Sequence, residues 1–240
     1  MSLNNLQTAN ISYHEAQNRM KYLPNYYRWI YTYARPFVKG TVMELGCGRG
    51  LFIAQYIRQV KRVVAVDHNE ILLKQLNHVF AGHNLQTVRL DLSRPWGALE
   101  GLKVDSIIAL DLLEHFQDDQ ILLNKIRTKI NPGGFIFIKV PAQRRLYSEM
   151  DRASGHYRRY DPDDLYQLAE YEGLEIISIR YMNPLGALVY RSRNRKSTNL
   201  SKTFLRPQLR FINLCLYILP ILDRLPKSKG LSLIGVFRAP

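Results

Sequence analysis

Nine consecutive residues, Val42-Met43-Glu44-Leu45-Gly46-Cys47-Gly48-Arg49-Gly50, constrain this chain more than any other stretch. Thr41 to Leu45 reads as a short buried strand. Three glycines at alternate positions follow, and then Leu51, Phe52, Ile53, Tyr56 and Ile57 recur at helical spacing. A strand, a glycine turn and a helix bring bare backbone to a place where a ligand can approach without side chains in the way. The dinucleotide fingerprint requires G-x-G-x-x-G. Here the third glycine comes one residue early, and Leu51 stands where it should be. Glu44, two residues before the first glycine, would repel a pyrophosphate and suits a ligand with a cationic amino group.

E-L-G-C-G-R-G resembles motif I of the class I S-adenosylmethionine (SAM)-dependent methyltransferases. SAM carries a cationic amine and a sulfonium and no phosphate, which fits a glycine loop with a carboxylate beside it. A second strand is predicted over Arg62 to Val66, ending in Asp67, seventeen residues past Gly50. An acid there can accept hydrogen bonds from both ribose hydroxyls, the solution dinucleotide-binding folds also use. His68 follows and is expected against the adenine; a helix is predicted at 71–80. Thr87 to Leu90 reads as the third strand, closed by Asp91-Leu92. The resemblance implies that Asp91 takes the adenine amino group and that the Leu92 N–H reaches a ring nitrogen. It also implies that Gly46, Cys47, Gly48, Leu110 and Asp111 line the cofactor, whose product is S-adenosylhomocysteine. Glu44, Asp67 and Asp91 thus close three successive strands, at the edge where open α/β sheets bind ligands.

A fourth strand, Lys103 to Leu110, leads into Asp111-Leu112-Leu113-Glu114-His115-Phe116, similar to the D-x-L-E-H stretch of the family's small-molecule members. Asp118 can cap the next helix, with Leu122, Leu123, Ile126 and Ile130 among its apolar positions. Asn131-Pro132-Gly133-Gly134 is predicted as a turn into a fifth strand, Phe135 to Val140. A charged loop from Gln143 to Asp161 contains Gly155-His156-Tyr157-Arg158-Arg159-Tyr160. Asp161 as N-cap and Pro162 at the first helical position start a helix ending near Gly173. Leu174 to Tyr181 is the sixth strand and Leu231 to Phe237 the last. The resemblance implies a three-layer α/β/α Rossmann-like fold: a seven-stranded, mostly parallel sheet in the order 3-2-1-4-5-7-6, the last strand antiparallel.

Around a core of residues 41–182 and the final strand, 231–240, two further parts are expected. Residues 1–40 form an N-terminal helical cap: Pro24 suits a first turn, Tyr26, Ile30, Tyr33 and Phe37 share a helical face, and Arg35-Pro36 ends the helix. Residues 183–230 form a long insertion with a polar loop, Arg191 to Lys196, and an apolar run, Phe211 to Leu222. The formal net charge is +14, and Tyr181 to Pro240 hold eleven Lys/Arg and one acid. That quarter therefore seeks an anionic neighbour, be it acidic lipid, nucleic acid or a phosphorylated carrier. No run reaches the ~18 apolar residues of a membrane span. Met1 to Asn10 lacks a signal-peptide pattern, and Cys47 and Cys215 read as free thiols. The expectation is a cytoplasmic protein making peripheral contact with the inner membrane face through 183–230.

Methyl transfer from SAM is an in-line displacement at carbon, to which the protein contributes mainly position. A hydroxyl acceptor also needs a base, and His115 and His156 are the catalytic candidates. Asp111, Glu114, His115 and His156 have ligand types suited to Mg²⁺ or Mn²⁺. Similar E-x-x-E-H patterns bind a divalent ion in ubiquinone-pathway O-methyltransferases and in enzymes that methylate the 3′ end of small RNAs. Here the first position is an aspartate, and the D-x-L-E-H form is widespread in members not known for metal, so no metal ligand is assigned. The D/N-P-P-Y signature of base amino methylation is absent. No cysteine directly follows Pro141, as covalent cytosine C5 methylation needs. Lys139 resembles the lysine of RNA 2′-O-methyltransferases, but their glutamate on the last strand is missing. The expected function is O-methylation of a small molecule such as a sugar or lipid-linked glycan. The alternatives are an RNA methyltransferase and a non-catalytic SAM-binding protein.

Overall fold

The computed structural model describes residues 20–192, 206–217, 219–224 and 229–240. The expectations for 1–10 and for the loop at 193–196 lie outside these residues. In chain order the elements are α1 (Pro24–Ala34), β1 (Thr41–Leu45), α2 (Ile53–Tyr56), β2 (Arg62–Asp67), α3 (Glu70–Val79), β3 (Leu85–Arg89), β4 (Val104–Leu110), α4 (Asp119–Arg127), β5 (Ile130–Pro141), α5 (Glu149–Ala153), α6 (Pro162–Tyr171), β6 (Glu175–Met182), α7 (Pro184–Ser192), α8 (Arg206–Cys215) and β7 (Ser232–Arg238). The strands form one sheet in the order β3-β2-β1-β4-β5-β7-β6. Strands β1 to β5 pair in parallel, and β7 is antiparallel to both β5 and β6. This is the Rossmann-like methyltransferase architecture.

The central strands are apolar almost throughout because both faces are covered. Successive side chains point to opposite faces. Met43, Val64 and Ile107 pack with α4 and α6 residues such as Leu123 and Leu165. Their neighbours Val42, Val63 and Ile108 pack on the other face with Trp29 of α1, Ile53 of α2 and Leu76 of α3. The caps follow the local chemistry. Asn69 accepts the Ile71 and Leu72 N–H groups at the start of α3, Asp118 accepts that of Ile121, and Asp161 and Asp164 form a capping box on α6.

Ile130, expected on the helix after Asp118, opens β5 instead, because α4 stops at Arg127, and two further local expectations differ. The helix after the glycine turn shrinks to Ile53–Tyr56, because the chain turns at once so that the Lys61 N–H can meet the Gly40 carbonyl at 2.9 Å. Residues 131–134 are a bulge within β5 rather than a turn before it. Val104 pairs with Ile130 and Ser106 with Phe135. The C-terminal end holds the bulge in place: the Gly133 N–H donates to Ala239 O and the Ala239 N–H to Gly134 O, each at 2.9 Å. No helix among the described residues is long and apolar enough to cross a membrane.

The N-terminal helix and the insertion join each other. Asn25 donates its backbone N–H to Asn213 Oδ1 at 2.9 Å and its Nδ2 to the Asn213 carbonyl at 2.8 Å. Trp29 Nε1 and the Tyr33 hydroxyl each donate to Asp223 Oδ2 at 2.6 Å, and the Asn183 N–H donates to its Oδ1 at 2.9 Å. Together α1, α7 and α8 sit over one side of the sheet's carboxyl edge.

Candidate active site

The glycine turn leaves β1 through three left-handed residues, Gly46, Gly48 and Gly50, with φ of 69°, 50° and 67°. At Gly50 a Cβ would also lie 2.5 Å from Leu76 Cδ1, so both conformation and space demand glycine. The turn is pinned to β2. The Gly46 and Cys47 N–H groups donate to Val66 O, and the Gly48 N–H donates to Asp67 Oδ2 at 2.8 Å. Asp67 also accepts the Asn69 N–H at 2.8 Å, and His68 Nδ1 lies 3.5 Å from its Oδ1, with the imidazole largely exposed. Asp67 thus fixes the loop while presenting carboxylate oxygens at the strand's end.

Glu44 lies buried beneath this turn, and its Oε2 accepts the Tyr56 hydroxyl at 2.8 Å. Burial pushes its carboxyl up to about 8, only partly opposed by that bond. A cationic group brought beside it would restore the ionised form. Burial, with Glu44 and Asp67 nearby, pushes the Cys47 thiol up, which leaves it an inert wall residue. Asp91 is exposed after β3. Its Oδ1 accepts the Ser93 N–H at 3.0 Å and hydroxyl at 2.6 Å, and those bonds hold its carboxyl below the usual value. Leu92 is buried, its carbonyl taken by Trp96 Nε1 at 3.1 Å.

At the end of β4, Leu110 packs toward the α1 side and Asp111 adopts a left-handed backbone with φ of 49°. Its carboxylate is clamped by Lys139 Nζ, 2.6 Å from both oxygens. Lys139 is itself buried in β5 with the Tyr26 ring of α1 over it at 5.6 Å. Burial pulls its ammonium down, but Asp111 and Tyr26 outweigh burial and hold it above the ordinary lysine value. Tyr27, beside them, keeps its phenol proton because burial, then Tyr26 and Asp111, push it up.

Three of the four residues weighed as metal ligands converge. One ligand atom each from Glu114, His115 and His156 lies within 4.8 Å of the others. The His115 and His156 rings meet edge to face at 4.7 Å. Asp111 is turned into the Lys139 pair instead. Glu114 is fully buried, and neither carboxylate oxygen has a hydrogen-bond partner. Burial, then the Asp111 charge, pushes its carboxyl well above the usual range. Burial and His156 lower His115 to about 4, so it is neutral at physiological pH. A buried orphan carboxyl grouped with two imidazoles fits a hard divalent cation, which would give an ionised Glu114 the counter-charge it lacks.

A residue the sequence reading did not single out stands behind His156, whose buried Nδ1 makes no hydrogen bond. Asp151, buried in α5, lies with its Oδ1 3.4 Å from His156 Nδ1. Its Oδ2 accepts the Ser148 N–H at 2.8 Å, Arg159 Nε at 3.0 Å and the Tyr190 hydroxyl of α7 at 3.1 Å. Burial opposes its ionisation, but His156 and Arg159 prevail and hold the carboxyl far below the usual range. The His156 carbonyl accepts the Tyr147 hydroxyl at 2.7 Å, and the Tyr157 N–H donates to Glu114 O at 2.7 Å. The G-H-Y-R-R-Y loop is therefore fastened across the D-x-L-E-H turn.

A methyltransferase-domain family model matches residues 14–179, more than half of the chain. The chain belongs to the SAM-dependent class I methyltransferases. The ubiquinone biosynthesis O-methyltransferase of Cupriavidus pinatubonensis is 22% identical over 170 residues, covering 64% of this methyltransferase and 68% of that protein. An uncharacterised methyltransferase of Mycobacterium tuberculosis is 26% identical over 97 residues, covering 40% of this chain and 48% of its own length. The chain thus spans about half of the mycobacterial relative. Among solved structures, the N-methyltransferase NodS of Bradyrhizobium japonicum, in complex with S-adenosylhomocysteine, superposes with a TM-score of 0.56 at 12% identity, over 89% of this chain and 84% of its own. At that identity the likeness is one of fold.

One signal could have drawn the reading to Asp151. Ser148-Glu149-Met150-Asp151 is an S-x-x-D capping-box pattern, and the structure forms that box. Lys139, set aside with the RNA enzymes, gains a simpler account: it is the counter-charge that turns Asp111 away from Glu114 in this methyltransferase.

Proposed function

We propose that this methyltransferase moves the methyl group of SAM to a hydroxyl oxygen of a small acceptor, a sugar or lipid-linked glycan. The observation that carries the reading is the Asp151–His156 pair standing beside neutral His115. In this reading Glu44 pairs with the amine of SAM, and the backbone of Gly46, Cys47 and Gly48 faces its amino-acid portion. Asp67 takes the ribose hydroxyls. Asp91, the Leu92 N–H and His68 surround the adenine, while Leu110 and Asp111 line the floor. His156 accepts the acceptor's proton, and Asp151 stabilises the imidazolium and holds the ring in place. The acceptor oxygen forms a bond to the methyl carbon as the carbon–sulfur bond breaks, leaving S-adenosylhomocysteine, and the proton on His156 passes to solvent. Glu114, His115 and His156 are the residues that would hold a divalent cation, and the chemistry it would supply is Lewis-acid activation of the acceptor hydroxyl.

A cleft of 590 Å³ borders the loop that carries His156, without including His156 itself, and offers a surface for the remote part of a glycosyl acceptor. It is lined by Tyr147, Tyr157 and Tyr171, with Arg144 and Arg158 already paired to Asp164 and Asp119. Aromatic faces with alternating donors and acceptors suit a polyhydroxylated ring better than a free phosphate. In this reading a lipid-linked acceptor enters from a membrane face past α1, α7 and α8. The test uses methyl-labelled SAM, the purified protein and a lysate of its host, with products separated into RNA, lipid-extractable and water-soluble fractions. Label in lipid or soluble glycan is expected. Label in RNA overturns the reading, and label in none of the fractions favours a non-catalytic SAM-binding protein. Loss of label with a chelator assigns the Glu114 cluster to a cation.

A further inference from the structure

Five of the twelve exposed large apolar side chains among the described residues lie on the insertion: Leu185, Leu188, Leu214, Tyr217 and Ile221. That concentration is what distinguishes a patch from scattered surface residues. They belong to three adjoining pieces. Leu185 and Leu188 are three apart on α7; Leu214 and Tyr217 are three apart on and just after α8; Ile221 sits in the turn Leu219–Arg224. The turn packs against α7, and α8 packs against α1. The inward side of α8 is accounted for, with Leu216 buried and Ile212 packed on the core. Its outward side carries Arg210, Leu214 and Tyr217 at i, i+4 and i+7, all exposed. A leucine and a tyrosine on one water-facing stripe, beside an arginine long enough to reach the headgroups, suit a membrane interface. The surrounding chain supplies the charge, with eleven Lys/Arg against one acid in residues 181–240.

We propose that the outer face of α7, α8 and the turn at 219–224 docks on an anionic phospholipid bilayer, with these five side chains dipped into the headgroup region. Charge complementarity selects the anionic surface, and the apolar row holds it at short range. Docking there sets the active site at the membrane. The same α7 that carries Leu185 and Leu188 places the Tyr190 hydroxyl 3.1 Å from Asp151 Oδ2, with Arg159 4.6 Å over the Tyr190 ring. The turn carries Asp223, which grips Trp29 and Tyr33 of α1, and α1 in turn lays Tyr26 over Lys139. Both ends of the face therefore touch the residues around His156 and Asp111. The functional sense of this orientation rests on the proposed lipid-linked acceptor, whereas the docking itself does not.

The experiment is sedimentation of the full chain with vesicles of phosphatidylcholine and phosphatidylglycerol, against phosphatidylcholine alone, at 0.1 and 0.5 M NaCl. The comparison is with the Leu188→Ser/Leu214→Ser/Ile221→Ser variant. Binding to the anionic vesicles is expected, weakened by salt but not abolished. At least a tenfold loss is expected in the variant, whose affinity for S-adenosylhomocysteine is unchanged. Because Trp29 and Trp96 are buried, a Tyr217→Trp variant reports the contact directly, by a blue-shifted emission with anionic vesicles. Equal vesicle binding by the wild type and the triple variant overturns the proposal, as does a Tyr217→Trp emission that does not move. So does failure to bind vesicles by a protein that binds polyuridylate with a steep salt dependence. Vesicle binding with no label in any lipid fraction leaves docking standing and removes the lipid-linked acceptor.

Discussion

Binding of SAM should expel a proton from Glu44, and Glu44→Gln should abolish that release. Burial lifts the Glu44 carboxyl from 4.5 to about 8 in the unliganded protein. At pH 5.5 nearly every molecule therefore carries the neutral acid, while the amine of SAM is charged. Pairing the two costs the deprotonation of Glu44, and the apparent affinity falls by the fraction ionised, approaching tenfold per pH unit. Between pH 7.5 and pH 5.5 this amounts to about 75-fold, or roughly 2.5 kcal/mol. Glutamine keeps an acceptor for the Tyr56 hydroxyl but has no proton to lose. The variant should bind about 10- to 100-fold more weakly at pH 7.5, the worth of a charge-assisted bond, and the gap should close toward pH 5.5. Isothermal titration calorimetry with S-adenosylhomocysteine, which has the same amine, measures both the affinity and, from buffers of different ionisation enthalpy, the protons released. Any other titrating group is common to both proteins, so their difference isolates Glu44. An affinity that changes in parallel in the two proteins across this window would refute the pairing. The linkage has a second face. A folded-state value raised from 4.5 to about 8 gives stability that is present below 4.5 and lost as pH rises to 8. Glu44→Gln should accordingly raise the melting temperature of the unliganded protein above pH 8.

Asp67→Ala removes the acceptor of the Gly48 and Asn69 N–H groups and the ribose ligand together; calorimetry should detect no SAM binding, and unchanged affinity would sink the cofactor assignment. Asp151→Asn should lower kcat by roughly 10²-fold at unchanged affinity for S-adenosylhomocysteine, a split that simple loosening of the site would not produce. The same change strands the buried Arg159 and should cost about 3 kcal/mol in urea unfolding. Gly50→Ala forces a left-handed φ and a Cβ against Leu76, so thermal unfolding should show a loss of about 2 kcal/mol or more.

The fold was largely legible because its signals are local. Alternating glycines, apolar runs of strand length and Asn or Asp caps each act within a few residues. The ends of β1, β2 and β3 therefore fell within two residues of Glu44, Asp67 and Asp91. The bulge at 131–134 escaped because N-P-G-G is good turn chemistry, and only pairing with Ala239, over a hundred residues away, keeps it in the sheet. The glycine-turn helix was overread for a similar reason: its apolar spacing continues past Tyr56, but the chain must turn back to reach β2.

For the site, the sequence by itself determined which carboxylates and imidazoles are available and that they gather at one edge, since βα connectivity forces successive strand ends together. What each one does there was decided by tertiary structure. Asp111 and Glu114 are three residues apart and chemically alike. Yet Lys139, brought alongside by β5, neutralises the first, while the second is buried with neither oxygen partnered beside two histidines. His156 gained a carboxylate neighbour only because α5 set Asp151 3.4 Å behind it and α7 closed on Asp151 through Tyr190. An ionisable group takes its behaviour from burial and from the charges within a few ångströms, and those neighbours are chosen by the packing of segments distant in the chain.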